Sequence, residues 1–370
     1  MKILYSKDID REEWSRLVET SATGTWFQTP EAYSFFASMP DLFWPFVVAV
    51  ANNPSLSEAQ HSSTPSLQTL RAVCCGYVTV EKNPIKQFFT RRAIIIGGPC
   101  LADDCTDEEV IALMTAVREQ LQSKAIYIET RNFNDYSQWR NAFEHCGDHP
   151  RRRPLLPFRW KDAPGFSYQP HLNFHVDTSS VEIVEANLGR NRKRDIRTSF
   201  RDGAVVIDNP TIEQIHEFYT ILKQLYATKV RTPLFPLPFF EQLHLHKDAR
   251  YLLVGIPKDE GEIEIIGGTV CVALAGKCLY EWFACGRDGE WKSIFPSSVA
   301  TYAGIRYAAE HGMPRLDMMG AGKPGEAYGV RDFKARFGGQ EVEYGRFLCI
   351  TKPLLYKIGV LGVKILKTYK

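Results

Sequence analysis

The residues best placed to do chemistry in this sequence are concentrated in its second half. Arg190, Arg192, Lys193, Arg194, Arg197 and Arg201 crowd into one short run, set against Asp195 and Asp202. On a helix, Arg190, Arg194, Arg197 and Arg201 fall at i, i+4, i+7 and i+11, a single stripe. The run is either a solvated face or a site for phosphates of a nucleotide, a lipid head group or an RNA end, because guanidinium forks suit phosphate oxygens. Further on, Phe333-Lys334 precedes Phe337-Gly338-Gly339. A lysine beside an aromatic ring can hold positive charge at a reacting carbonyl and stabilise an oxyanion; the plainer reading is an exposed lysine on an amphipathic turn. Gly320-Ala321-Gly322-Lys323-Pro324-Gly325 matches G-x-G-x-x-G. It lies in the last α/β segment with Pro324 inside, and too little chain follows for a dinucleotide fold. Its glycines still let backbone approach a ligand closely.

Other chemistries find no residues. There is no G-x-S-x-G elbow, no H-E-x-x-H and no P-loop, so hydrolase and Walker-type readings fall away. His171/His175 and His244/His246 are the close histidine pairs, and the first sits in an extended segment where i, i+4 spacing does not share a face. Nine cysteines without a C-x-x-C pair read as buried, reduced thiols, so neither a metal nor another cofactor is expected. The N-terminus turns charged at Lys7-Asp8 with no apolar run behind it, and no stretch reaches the ~18 apolar residues of a membrane span. A cytoplasmic protein is expected. The tail from Lys352 is a basic amphipathic helix that either packs on the second domain or touches the inner face of the membrane.

Two domains are expected from 370 residues at about 150 per domain. Lys and Arg number 45 against 43 Asp and Glu, a balance that excludes a protein coated in basic charge while allowing local patches. The hydrophobic pattern predicts helices at 10–21, 29–38, 107–123, 134–146, 181–202, 211–228, 237–246, 297–311 and 328–337. Thr106 and Glu109 form the capping box of the third of these. Strands are expected at 71–81, 92–96, 125–130, 171–177, 204–207, 250–256, 263–275, 277–285, 315–319 and 341–350. The Ser- and Pro-rich stretch 52–67 is a loop, and the Pro-rich stretch near 150–170 is the crossing between halves. Each half runs through hairpins, a loop, a helix and a strand. That order implies a duplicated α/β module of mixed sheet with helices on its faces.

The second half resembles the Fem family, the aminoacyltransferases that build peptidoglycan interpeptide bridges in bacteria. The resemblance rests on Tyr280-x-Trp282-Phe283-Ala284-Cys285-Gly286-Arg287, Phe295-Pro296-Ser297, Leu316-Asp317-x-x-Gly320, Phe333-Lys334-x-x-Phe337-Gly338-Gly339, Tyr344-Gly345 and Pro353-Leu354-Leu355-Tyr356. Trp26-Phe27-Gln28-Thr29 and Gly98-Pro99 are weaker matches. It implies an α/β (α+β) fold of two tandem GNAT-like (acyl-CoA N-acyltransferase) domains, expected at 1–160 and 161–370. It implies transfer of an aminoacyl group from aminoacyl-tRNA to an amine of a phosphate-bearing cell-wall precursor. Lys334 with Phe333 is then the catalytic pair, and Arg190, Lys193, Arg194, Arg197, Tyr302, Gly320 and Gly322 are substrate contacts. The stretch Tyr33-Ser34-Phe35-Phe36 lacks the lysine that touches the nucleotide precursor in the family, and Ala102 stands where the family often has an aspartate. Acyl-CoA as donor to a sugar amine stays open, although no [QR]-x-x-G-x-[GA] loop is found, and so does a non-catalytic binding protein.

Overall fold

The computed structural model describes residues 1–52, 69–147, 165–230, 233–258 and 261–368. The expected loop at 52–67 and most of the expected crossing near 150–170 lie outside the described residues, as does the expected join at 160/161. The chain divides into two units, Met1–Pro170 with Tyr344–Lys370, and His171–Glu343.

The first unit runs β1 (Lys2–Tyr5), α1 (Arg11–Thr20), α2 (Pro30–Ala37), β2 (Phe43–Ala51), β3 (Leu70–Thr79), α3 (Pro84–Thr90), β4 (Ala93–Gly97), β5 (Cys100–Leu101), α4 (Asp107–Leu121), β6 (Tyr127–Asn132), α5 (Arg140–His145) and β7 (Ser167–Gln169). The second holds β8 (Leu172–Asp177), α6 (Val181–Asn187), α7 (Arg190–Arg201), β9 (Val205–Ile207), α8 (Ile212–Leu225), α9 (Leu237–His244), β10 (Ala249–Pro257), β11 (Ile263–Leu274), β12 (Cys278–Gly286), α10 (Pro296–Glu310), β13 (Arg315–Gly320), α11 (Gly329–Ala335) and β14 (Gln340–Glu343). The chain then returns to the first unit with β15 (Arg346–Ile350) and α12 (Pro353–Thr368).

The first sheet has the order β1-β2-β3-β4-β6-β15-β7, with β5 on β3, and the second β14-β8-β13-β12-β11-β10-β9. Both are mixed. Each has one parallel pair bridged by a helix: β4 with β6 through α4, and β12 with β13 through α10. The run Ala93-Ile94-Ile95-Ile96-Gly97 is buried throughout, as a strand covered on both faces must be. Thr106 and Glu109 form the expected capping box at the start of α4. The first core gathers Val48, Cys74, Ile95, Leu113, Val117, Phe143 and Phe347. The second gathers Phe174, Val176, Leu279, Ile305, Leu316 and Met318. All nine cysteines are buried free thiols, as expected.

Three expectations about elements need correction. The strand expected at 341–350 is two strands in two sheets, β14 on β8 and β15 between β6 and β7. Gly345 breaks it: its φ is +65°, and a Cβ there would stand 2.3 Å from the Tyr168 ring. Residues 346–350 therefore belong with the first sheet rather than a second domain running to 370, and Phe347 stacks on Phe143 at 4.0 Å. The helix expected at 181–202 is broken into α6 and α7, because the Gly189 N–H leaves the helix to donate to Arg336 O.

Candidate active site

The second sheet opens where its parallel pair ends. β12 and β13 pair only at Cys278–Arg315, Leu279–Leu316 and Tyr280–Asp317, although β12 runs on to Gly286. Just beyond the last pair the register of β12 on β11 shifts: Cys271 faces Glu281 while Val270 faces Phe283, so Trp282 is the extra residue of a bulge. A bulge bends its strand and increases its twist, and the two strands part as a fork.

The fork is lined by buried charge. Glu281 is its first β12 side chain; it is buried and accepts from Thr269 Oγ1 at 3.4 Å. Burial raises the Glu281 carboxyl above its ordinary value, opposed by the charge of Lys334. Across the fork, Asp317 is fully buried, accepts from the Met319 N–H at 2.6 Å and lies 3.2 Å from His175 Nε2. Met319 has φ +59°, the one non-glycine residue with positive φ among the described residues. Such backbone needs its surroundings to hold it, and Asp317 supplies part of that hold.

Lys334, on α11, supplies the rest. It is buried, and its ammonium donates to Met318 O, to Gly320 O at 2.9 Å and to Met319 O at 3.5 Å. Burial lowers the Lys334 pKa, while Glu281 and Asp317 work against that. One turn earlier, Arg331 donates to Ala321 O at 3.1 Å, to Glu326 O at 3.1 Å and to Lys323 O. Two cations at i and i+3 thus hold carbonyls from the tip of β13 through the glycine-rich loop.

The basic helix meets the same element. Arg192, on the inner side of α7, is buried with its guanidinium 4.7 Å from the Phe333 ring centre and 4.6 Å from that of Phe337, and it donates to Ser298 Oγ. Burial lowers its pKa. Phe333 therefore serves an arginine of another helix, a cation–π contact of about 1–2 kcal/mol when desolvated. The opposite side of α7 carries the expected stripe. Arg190, Arg194, Arg197 and Arg201 are exposed and Lys193 is half-buried. Arg194 pairs with Asp195 at 3.0 Å and Arg201 with Asp202 at 2.8 Å. Among the described residues no carboxylate pairs with Arg190, Lys193 or Arg197.

The other expected contacts have plain structural partners. Tyr302 is buried and donates to Glu185 Oε1 at 2.6 Å, bracing α10 against α6; burial, then Glu185, pushes its hydroxyl up to about 12. Gly320 O receives the Lys334 ammonium. Gly322 sits at φ +81°, and its carbonyl accepts from the Leu172 N–H at 2.9 Å. Among the described residues no group of His, Cys, Asp or Glu could hold a metal ion.

Sequence reading missed Glu281, Asp317, Arg331 and Arg192 as site residues, and set His175 aside. A charge inside the apolar run Cys278-Leu279-Tyr280-Glu281-Trp282-Phe283 was the available signal for Glu281, since carboxylates are rarely buried without a reason. His175 and Asp317 meet only through antiparallel pairing of strands distant in sequence.

Comparison with known proteins agrees with this geometry. Residues 251–361 match the model of the FemAB family. The whole-chain fold is similar to the crystal structure of FemX, with TM-score 0.66 and 15% identity over 97% of this chain and 99% of that one. It is similar to a tandem GNAT protein from the clavulanic acid biosynthesis pathway, with TM-score 0.52 and 11% identity over 95% and 98%. A third likeness is the C-terminal DUF2156 domain of a proposed lysylphosphatidylglycerol synthetase from Agrobacterium fabrum, with TM-score 0.52 and 11% identity over 96% and 95%. No curated protein sequence matches the chain. The FemAB match thus covers the part of the second unit that holds β12, β13, Glu281 and Lys334, and the chain as a whole has the fold of FemX and of the tandem GNAT protein.

Proposed function

We propose that the protein moves an aminoacyl group from aminoacyl-tRNA to an amine of a phosphate-bearing cell-wall precursor, with the chemistry at the fork between β12 and β13. The observation that carries this reading is the difference between the two parallel pairs. In the first unit every residue of β4 is paired with β6, from Ala93–Ile128 to Gly97–Asn132, which leaves no opening. In the second, pairing stops after three residues, and the open end holds Glu281, Asp317 and the Lys334 cradle.

The amine nitrogen attacks the ester carbonyl carbon; the new N–C bond forms and the C–O bond to the tRNA ribose breaks. The amine loses a proton to the Glu281 carboxylate, which returns it to the leaving ribose hydroxyl. Burial fits Glu281 for this by making it a stronger base than an exposed carboxylate. Strand edges at the fork supply backbone donors to the oxyanion, and positioning carries most of the remaining rate. We assign Lys334 a positioning role: its three protons face backbone carbonyls, and it holds the tip of β13 in its left-handed turn. Arg190, Lys193 and Arg197, cations without carboxylate partners, take the precursor phosphates.

The first turn of α10 favours tRNA over acyl-CoA as donor. A helix N-terminus is the natural seat of a pyrophosphate, but here the Asp288 carboxylate accepts from the Ser297 N–H at 3.1 Å. A second anion would meet that charge. The test is mass spectrometry of cell-wall precursors incubated with the protein and either a mixed charged-tRNA pool or acyl-CoA. A mass increment of one aminoacyl group from the tRNA pool alone is expected. An increment from acyl-CoA alone, or tight precursor binding with no turnover, would overturn the reading.

A further inference from the structure

The first unit carries an apolar surface that its own core does not use. α3 buries none of its residues, yet Ile85, Phe88 and Phe89, at i, i+3 and i+4, are between 44% and 73% exposed. Side chains at that spacing share one face. α12 lies alongside α3 in the same unit. Leu354, Ile358 and Leu361, at i, i+4 and i+7, are between 47% and 66% exposed and form a second outward stripe. The inner side of α12 is tied down independently: Tyr356 meets Tyr127 edge-on at 5.5 Å, and Lys352 donates to Ser123 O at 3.0 Å. The outward stripes are therefore not leftovers of a loosely placed helix.

The segments that carry these stripes are rich in positive charge. Residues 81–92 and 352–370 hold nine Lys and Arg against the single Glu81, whereas the whole chain is only two charges positive. The remainder of the chain is thus net negative. Glu81 is already paired with Lys86 at 2.7 Å. Arg91 and Lys352 sit close enough for Arg91 to help lower the Lys352 pKa, after burial, and among the described residues Arg91 Nε has no hydrogen-bond partner. Like charges gathered beside exposed aromatic and aliphatic side chains call for an anionic, apolar partner.

We propose that α3 and α12 together form a docking surface for an anionic lipid bilayer, with Ile85, Phe88, Phe89, Leu354, Ile358 and Leu361 entering the acyl boundary and the flanking Lys and Arg contacting head groups. Amphipathic helices with basic flanks bind membranes in this way, apolar insertion adding to attraction for acidic lipids. A second copy of the chain fits less well, because a two-fold contact would set the two cationic fields against each other. This surface belongs to the first unit and does not depend on the proposed reaction.

The test is co-sedimentation of the full chain with vesicles of phosphatidylcholine alone and of phosphatidylcholine with phosphatidylglycerol, at low and high salt. Binding to the acidic vesicles that weakens with salt is expected. Phe88→Ser/Phe89→Ser/Ile358→Ser/Leu361→Ser should lower the partition coefficient at least about tenfold with an unchanged Tm. Should that variant misfold, Lys82→Glu/Lys86→Glu/Lys357→Glu gives a second reading with the same expected loss. No binding, equal binding to both vesicles, or unaltered partition in well-folded variants would overturn the proposal. So would light scattering that shows a dimer which the variants dissociate.

Discussion

Lys334 directs its protons at three consecutive carbonyls and stands near two buried carboxylates, so its loss is felt twice. Lys334→Ala strands those acceptors and removes the cation that acts on both Glu281 and Asp317, at a cost of about 3 kcal/mol. Thermal unfolding should show Tm lowered by roughly 6–12 °C for a unit of this size, together with a loss of transfer of about 100-fold or more. A lysine that acted on the acyl group alone would lose the activity and keep the Tm. Glu281 makes a different prediction, about pH. Burial raises its pKa, and a base works only when deprotonated, so kcat should climb as pH rises through that raised value and then level off. In Glu281→Gln the climb should vanish and kcat fall about 100-fold. A pH–kcat profile with the same limb in the variant would remove Glu281 from the mechanism.

At the scale of elements, two glycines of the α10 region separate close packing from mere permissiveness. A Cβ on Gly286 would lie 2.4 Å from the Ser297 backbone nitrogen and 2.8 Å from Pro296 Cβ, where the end of β12 meets the start of α10. Gly286→Ala should therefore cost about 2 kcal/mol or more and reduce transfer by displacing β12 at the fork. Gly304, inside α10, meets only ordinary contacts at 3.5–3.6 Å. Gly304→Ala should raise stability by about 0.5–1 kcal/mol; denaturant titration of both variants checks the contrast. The elements themselves were largely legible. The apolar period marked α10 and β10 to β13 within a residue, and α8 apart from its last three expected residues, and the Thr106 cap was readable from two side chains. Edges were less so. β1, β2, α3 and β7 went unread, and the 341–350 run hid two strands, since only the sheet decides which partner each half takes. The candidate site was legible in its cations and obscure in its carboxylates. Lys334 and the α7 stripe announce themselves by local spacing, whereas Glu281, Asp317 and His175 converge only once β8, β12 and β13 are paired.

At the scale of the whole molecule, one module occurs twice with different endings. Each unit builds a mixed sheet with one parallel pair and a crossover helix, which is the duplication that the order of elements implied. The first copy closes its pair and the second leaves it open. The proposed reaction therefore needs the acyl donor in the second unit only. Hydrogen exchange with a non-hydrolysable 3′-aminoacylamino analogue of the tRNA end tests this most directly. Chemistry at the fork predicts slowed exchange at residues 281–286 and 318–322, with 93–97 and 127–132 unchanged. Protection confined to 93–97 and 127–132, or none at the fork under saturating analogue, would contradict it.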